Sequence, residues 1–185
     1  YAGNGLTWVM EEKTNRVANL ITGPRRLAYT SVEQGSETPS TAAEQAIGWV
    51  RQNAKNGADG VKFFGASPEV MDAAIRENKK LGLRSCCHHA QTDVARWNVL
   101  NSAHAGMTSM EHWYGLPEAL FADKTIQNFP LDYNYNDEQN RFEEAGKLWK
   151  HAATPYSDHW NKVINDLMAL YFTIIPPFHH YHANP

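Results

Sequence analysis

Gly60-Val61-Lys62-Phe63-Phe64 is a short apolar run with one lysine at its centre, and its neighbours on both sides are helical. Upstream, Thr41 with Glu44 forms a capping-box pattern, and Ala43, Ile47, Val50 and Ala54 recur at helical spacing before Asn56-Gly57 stops the run. The Gly60 run therefore reads as a buried strand that follows a helix. Downstream, Ser67-Pro68 restarts a helix with the cap residue ahead of a first-turn proline. Val70, Met71, Ala74 and Ile75 give that helix its apolar face, and Gly82 closes it. A strand over 83–88, a helix over 92–105 ended by Gly106, and a strand over 107–111 complete a β-α-β-α-β pattern. Joints this short between alternating elements predict parallel strands with crossover helices.

A second unit of the same kind is expected near the C-terminus. Trp160, Val163, Ile164, Leu167 and Met168 have helical spacing, and 171–175 reads as a strand stopped by Pro176-Pro177. Residues 26–30 are a further candidate strand. The alternation suits a doubly wound sheet or a (β/α)8 barrel. No glycine-rich phosphate loop follows any of these strands, which argues against a doubly wound nucleotide-binding domain. The stretch 116–157 breaks the rhythm: it is polar and aromatic (Tyr133, Tyr135, Trp149, Tyr156), and it reads as an insertion or lid within one domain.

Composition narrows the class. Of 185 residues, 42% are hydrophobic and 20% charged, as in an ordinary globular chain. A net charge of −3 gives no electrostatic reason to expect nucleic acid. No apolar run approaches the ~20 residues that cross a bilayer, so no membrane partner is expected. The two cysteines, Cys86 and Cys87, are adjacent, which disfavours a structural disulfide. The chain opens at Tyr1 with no signal-like apolar stretch, and either a cytoplasmic or an exported location suits it. A homo-oligomer is compatible with this composition.

The chemistry sits where the strands end. Lys62 lies in the first strand, His88 and His89 end the second, and His112 ends the third. In a parallel α/β fold those ends share one rim, where ligands bind. A single strand-end histidine is more often a hydrogen-bonding residue than a ligand, and a single lysine most often reaches its amine out to solvent. Three such residues at consecutive strand ends point to a metal site. Neutral imidazoles bind Zn²⁺, and a buried lysine amine freed of its proton can take up CO₂ as a carbamate, an anionic oxygen ligand.

Gly57-Ala58-Asp59-Gly60-Val61-Lys62-Phe63-Phe64, His89-Ala90 after Gly82-Leu83, and Ala105-Gly106-Met107-Thr108-Ser109-Met110-Glu111-His112 together resemble the amidohydrolase superfamily. The likeness is to its prolidase-like and imidazolonepropionase-like members, and it covers roughly residues 41–116. It implies a (β/α)8 barrel of the TIM type, of which this chain would hold roughly strands two to seven, since such barrels need ~250 residues. It implies Lys62 as a carboxylated, metal-bridging lysine, with His89 and His112 as metal ligands. His89 is preferred to His88 because the family's ligand directly precedes alanine. One or two divalent ions, zinc by preference, would activate water to hydrolyse an amide or cyclic amide C–N bond of a small peptide-like substrate. Two departures stand out. No histidine precedes Lys62, so the family's first-strand His-x-His pair is absent, and its last-strand aspartate would fall beyond Pro185. The chain thus reads as a fragment, inactive in isolation. The competing expectation is a non-catalytic metal- or ligand-binding barrel with an incomplete site.

Overall fold

A computed structural model describes residues 6–25, 27–32, 42–90, 94–122 and 129–176. Its elements run α1 (Leu6–Val17), β1 (Tyr29–Val32), α2 (Ala43–Lys55), β2 (Gly60–Phe63), α3 (Pro68–Lys80), β3 (Arg84–Cys87), α4 (Val99–Ala105) and β4 (Ser109–Glu111). Then come α5 (Leu116–Ala119), α6 (Glu138–Lys147), a 3₁₀ turn (Leu148–His151), α7 (Asp158–Ala169) and β5 (Thr173–Ile175).

The five strands form one sheet in the order β1-β2-β3-β4-β5, and every pair is parallel. Each strand sits beside its predecessor, so the order never reverses as it must in a doubly wound sheet. The sheet is open: β1 and β5 are its edges among the described residues. The α/β class is as expected, but in place of six barrel strands the described residues form five strands in an open parallel sheet.

One face of the sheet carries the core. Val61, Phe63 and Cys87 pack under α2 and α3 with Val50, Met71 and Ile75. Met110 and Ile174 pack under α4, α5 and α7 with Val99, Leu120, Val163 and Leu167. Alternation along each strand sends the intervening residues to the opposite face. Burial of each large apolar side chain here contributes roughly 1.5–3 kcal/mol, which is what holds the helices to this face. Gly60 sits where β1 and β3 crowd β2, and a Cβ there would lie 2.6 Å from the Tyr29 ring.

The helix joints follow the expected chemistry in part. Ser67 caps α3 with Pro68 in its first turn, although its hydroxyl makes no capping bond. Thr41 lies outside the described residues, and α2 starts from Ala42 without a side-chain cap. The helix expected over 92–105 is only the seven residues of α4. Asn98 caps it by accepting from the Leu100 N–H, and the Asn98 N–H donates to the Asn101 side chain, so α4 begins at Val99. Helix α1 was not anticipated. Its Lys13 joins the Asp59 carboxylate at 2.7 Å, and the same carboxylate accepts from the Ala28 N–H, tying α1 to the starts of β1 and β2. The stretch 116–157 is more ordered than its composition suggests. It contains α5, α6 and the 3₁₀ turn, closed by an antiparallel bridge between Phe121 and Ala152. Both cysteines are free and buried.

Candidate functional site

Strand register decides which side chains meet. Lys62 pairs with Cys86, and Cys86 with Ser109, so Lys62, Cys86, Ser109 and Glu111 share the face that turns away from the helices. His88 extends β3 by one rung, donating its N–H to the Phe63 carbonyl at 2.9 Å. Two residues beyond Cys86, it keeps the Lys62 face. Its ring lies 5.8 Å from Phe64, 4.9 Å edge-on to His112 and 5.2 Å from Tyr114. The Lys62 ammonium sits over the Phe64 ring and pairs with the Glu111 carboxylate. Lys62, His88, Glu111 and His112 therefore gather at the C-terminal ends of β2, β3 and β4.

His89 is not with them. It is 2% exposed and faces α4, where its Nε2 meets the Ser102 hydroxyl at 2.8 Å. The Trp97 indole N–H donates to the same hydroxyl at 2.8 Å. Gly115, at φ 89°, lies so close that a Cβ would stand 3.3 Å from the His89 ring. So of the three residues expected to converge, the structure brings Lys62 and His112 together, puts His88 between them, and turns His89 behind the sheet. The reason is the phase of alternation in β3, which the Lys62–Cys86 pairing sets.

Electrostatics suit a donor set of neutral groups. Burial, reinforced by His112 and Lys62, lowers the His88 pKa to about 3, so its imidazole keeps a free lone pair at neutral pH. Burial alone lowers His89 to about 4. Burial also pulls the Lys62 amine below its ordinary range, against the opposing pull of Cys86 and Cys87. His112 adopts φ 64°, a left-handed conformation that costs a non-glycine residue roughly 1 kcal/mol and that recurs at functional sites.

Among the described residues no three His, Cys, Asp or Glu side chains come together to hold a metal ion. His88 and His112, set edge to face, and the buried Lys62 are the residues that could hold a divalent cation, with Lys62 supplying an oxygen as its carbamate. His179, His180 and His182, a second histidine cluster of the sequence, lie outside the described residues.

A solved Xaa-Pro dipeptidase, with methionine bound in its active site, has a similar fold. The match has a TM-score of 0.53 at 15% identity and covers 94% of this chain and 53% of that one. The chain thus spans about half the length of that enzyme. No protein-family model matches, and no curated protein does. Identity this low speaks for the fold alone.

Glu111 went unassigned in the sequence although a signal was present. Ser109-Met110-Glu111 alternates, and a buried Met110 forces Glu111 to the other face. No helix of the described residues is long and apolar enough to cross a membrane.

Proposed function

We propose that this chain is part of a metal-dependent hydrolase of the amidohydrolase type, cleaving an amide or cyclic amide C–N bond in a small peptide-like molecule. The observation that carries the reading is the gathering of Lys62, His88 and His112 at the ends of consecutive parallel strands. The fold, similar to that of a Xaa-Pro dipeptidase, is in keeping with this reading.

His88 and His112 would hold a divalent cation through ring nitrogens, and carboxylated Lys62 would add an oxygen. This assignment takes His88 rather than His89, because His89 would have to leave Ser102 to reach the rim. Zinc suits imidazole and carbamate donors. A cation bound there would supply Lewis acidity toward a carbonyl and lower the pKa of a water. The chain's own residues do the rest. Phe64 and Tyr114 wall the site and keep bulk water from the His88 ring. Glu111 pairs with the Lys62 ammonium and would take one of its protons, and the neutral amine would then add CO₂ and release a second proton to solvent to give the carbamate.

The test is Lys62→Ala in the complete protein, assayed with divalent metal against N-acyl amino acids and dipeptides. Loss of hydrolysis with an unchanged circular dichroism spectrum is expected. Retained hydrolysis removes the carbamate role.

A further inference from the structure

The end of the sheet opposite the rim carries two adjoining cavities. One, of about 530 Å³, has an apolar wall made by Trp8, Val9, Pro24, Leu27 and Tyr29. The other, of about 320 Å³, has Lys13, Arg16, Arg25 and Asp59 on its wall. Arg25 and Leu27 line both, so the two cavities meet beside the segment that leads into β1. Their sizes are those of small-molecule sites. Leu27 and Asp59 come just before β1 and β2, which puts both cavities at the N-terminal ends of the strands, under α1.

The apolar wall is held from behind. Val9 is buried, and the Tyr29 ring lies so close to Gly60 that no Cβ would fit between them. Tyr29 also hydrogen-bonds with Arg84. The charged wall is less balanced. Lys13 pairs with Asp59 at 2.7 Å, and that carboxylate also accepts from the Ala28 N–H. Arg16 is anchored through Nε, which donates to the Gly23 carbonyl, and this leaves its two terminal nitrogens for other partners. Arg25 is exposed, and neither arginine has an ion pair among the described residues. Across both cavities three cations stand against two carboxylates, Glu12 and Asp59, so one positive charge is left over.

A guanidinium can only donate, and its fork matches the paired oxygens of an anion. An indole and a phenol ring on one wall suit a flat apolar body. An occupant that answers both walls carries one negative charge at one end and a ring at the other. We infer that the two cavities form one binding site, separate from the rim, for a small monoanion with a flat apolar body. Its charge would lie at Arg16 and Arg25, and its ring against Trp8, Leu27 and Tyr29. The site is independent of the hydrolase reading, since it shares no residue with the rim.

The test uses the complete protein, freed of metal, and three probes: phenylacetate, its neutral amide phenylacetamide, and acetate. Binding is read by calorimetry and by the ¹⁵N–¹H resonance of the Trp8 indole. Phenylacetate should bind and move that resonance. Phenylacetamide lacks the charge and acetate lacks the ring, so each should bind about tenfold more weakly or worse. Arg25→Gln changes an exposed side chain and should stay folded. It should weaken phenylacetate about tenfold and leave phenylacetamide unchanged. Trp8→Ala should weaken both ring-bearing probes and leave acetate unchanged. Equal affinity for phenylacetate and phenylacetamide, a Trp8 resonance that does not move, or unchanged phenylacetate affinity in Arg25→Gln overturns the site. The last result is also what capture of the carboxylate at the rim would give, because the rim does not use Arg25.

Discussion

Replacing Ser102 with alanine removes one oxygen that serves two buried partners. Ser102 is fully buried, and its hydroxyl meets His89 Nε2 and the Trp97 indole N–H, both at 2.8 Å. His89 is 2% exposed and Trp97 8% exposed, so water cannot easily take the place of the hydroxyl. Each orphaned group costs about 1–3 kcal/mol, so the two together should cost about 3 kcal/mol after local adjustment. For a domain of this size that lowers Tm by about 6–12 °C. The His89 ring already lacks a partner at Nδ1, so the substitution would leave it wholly unbonded. A cycle separates the two partners. In a His89→Leu background only Trp97 is orphaned by Ser102→Ala, and the loss should fall by about half. Thermal and urea unfolding of the four variants measure it. A drop under about 2 °C for Ser102→Ala, or an equal drop in both backgrounds, would refute the claim that this hydroxyl fixes His89 behind the sheet.

Other expectations follow from single contacts. Met110 is fully buried beneath α4, α5 and α7, and Met110→Ala should cost about 2–5 kcal/mol in urea unfolding. His112→Gly should be about 1 kcal/mol more stable than His112→Ala, since only glycine takes φ 64° without strain. Asp59 gives a pH dependence: burial alone would raise its pKa, but the bonds from Lys13 and the Ala28 N–H outweigh burial and hold it below the ordinary range. Its stabilising effect is therefore complete above the unfolded value of about 3.9 and is lost as pH falls through the lower folded value. Asp59→Asn should be less stable at neutral pH and should flatten the acid limb of a stability profile. An unchanged acid limb would show that other carboxylates set it.

Much of the sheet was legible because its strands are short apolar runs between glycine and proline signals. Gly60 to Phe63, the Cys86-Cys87 pair and Met110 all fall where the pattern put them, and each is buried as a strand between helices must be. The missed parts have physical reasons. Helix α1 has its apolar residues at its two ends, Leu6, Trp8, Val9 and Met10 at the start and Val17 at the finish, with a polar run between, so periodicity has little to act on. Helix α6 did have a sign at its start, since Asp137 accepts from the Asn140 N–H as a cap should. The choice between His88 and His89 could not come from local pattern. Adjacent residues on a strand differ only in phase, and that phase is set by pairing Lys62 with Cys86, a contact between strands.

Metal content of the complete protein, measured after dialysis for wild type, His88→Ala and His89→Ala, tests the centre most directly. The arrangement predicts a bound divalent ion in wild type, its loss in His88→Ala, and its retention in a folded His89→Ala. A folded His88→Ala that keeps the ion while His89→Ala loses it would contradict the account, as would a wild-type protein that binds none.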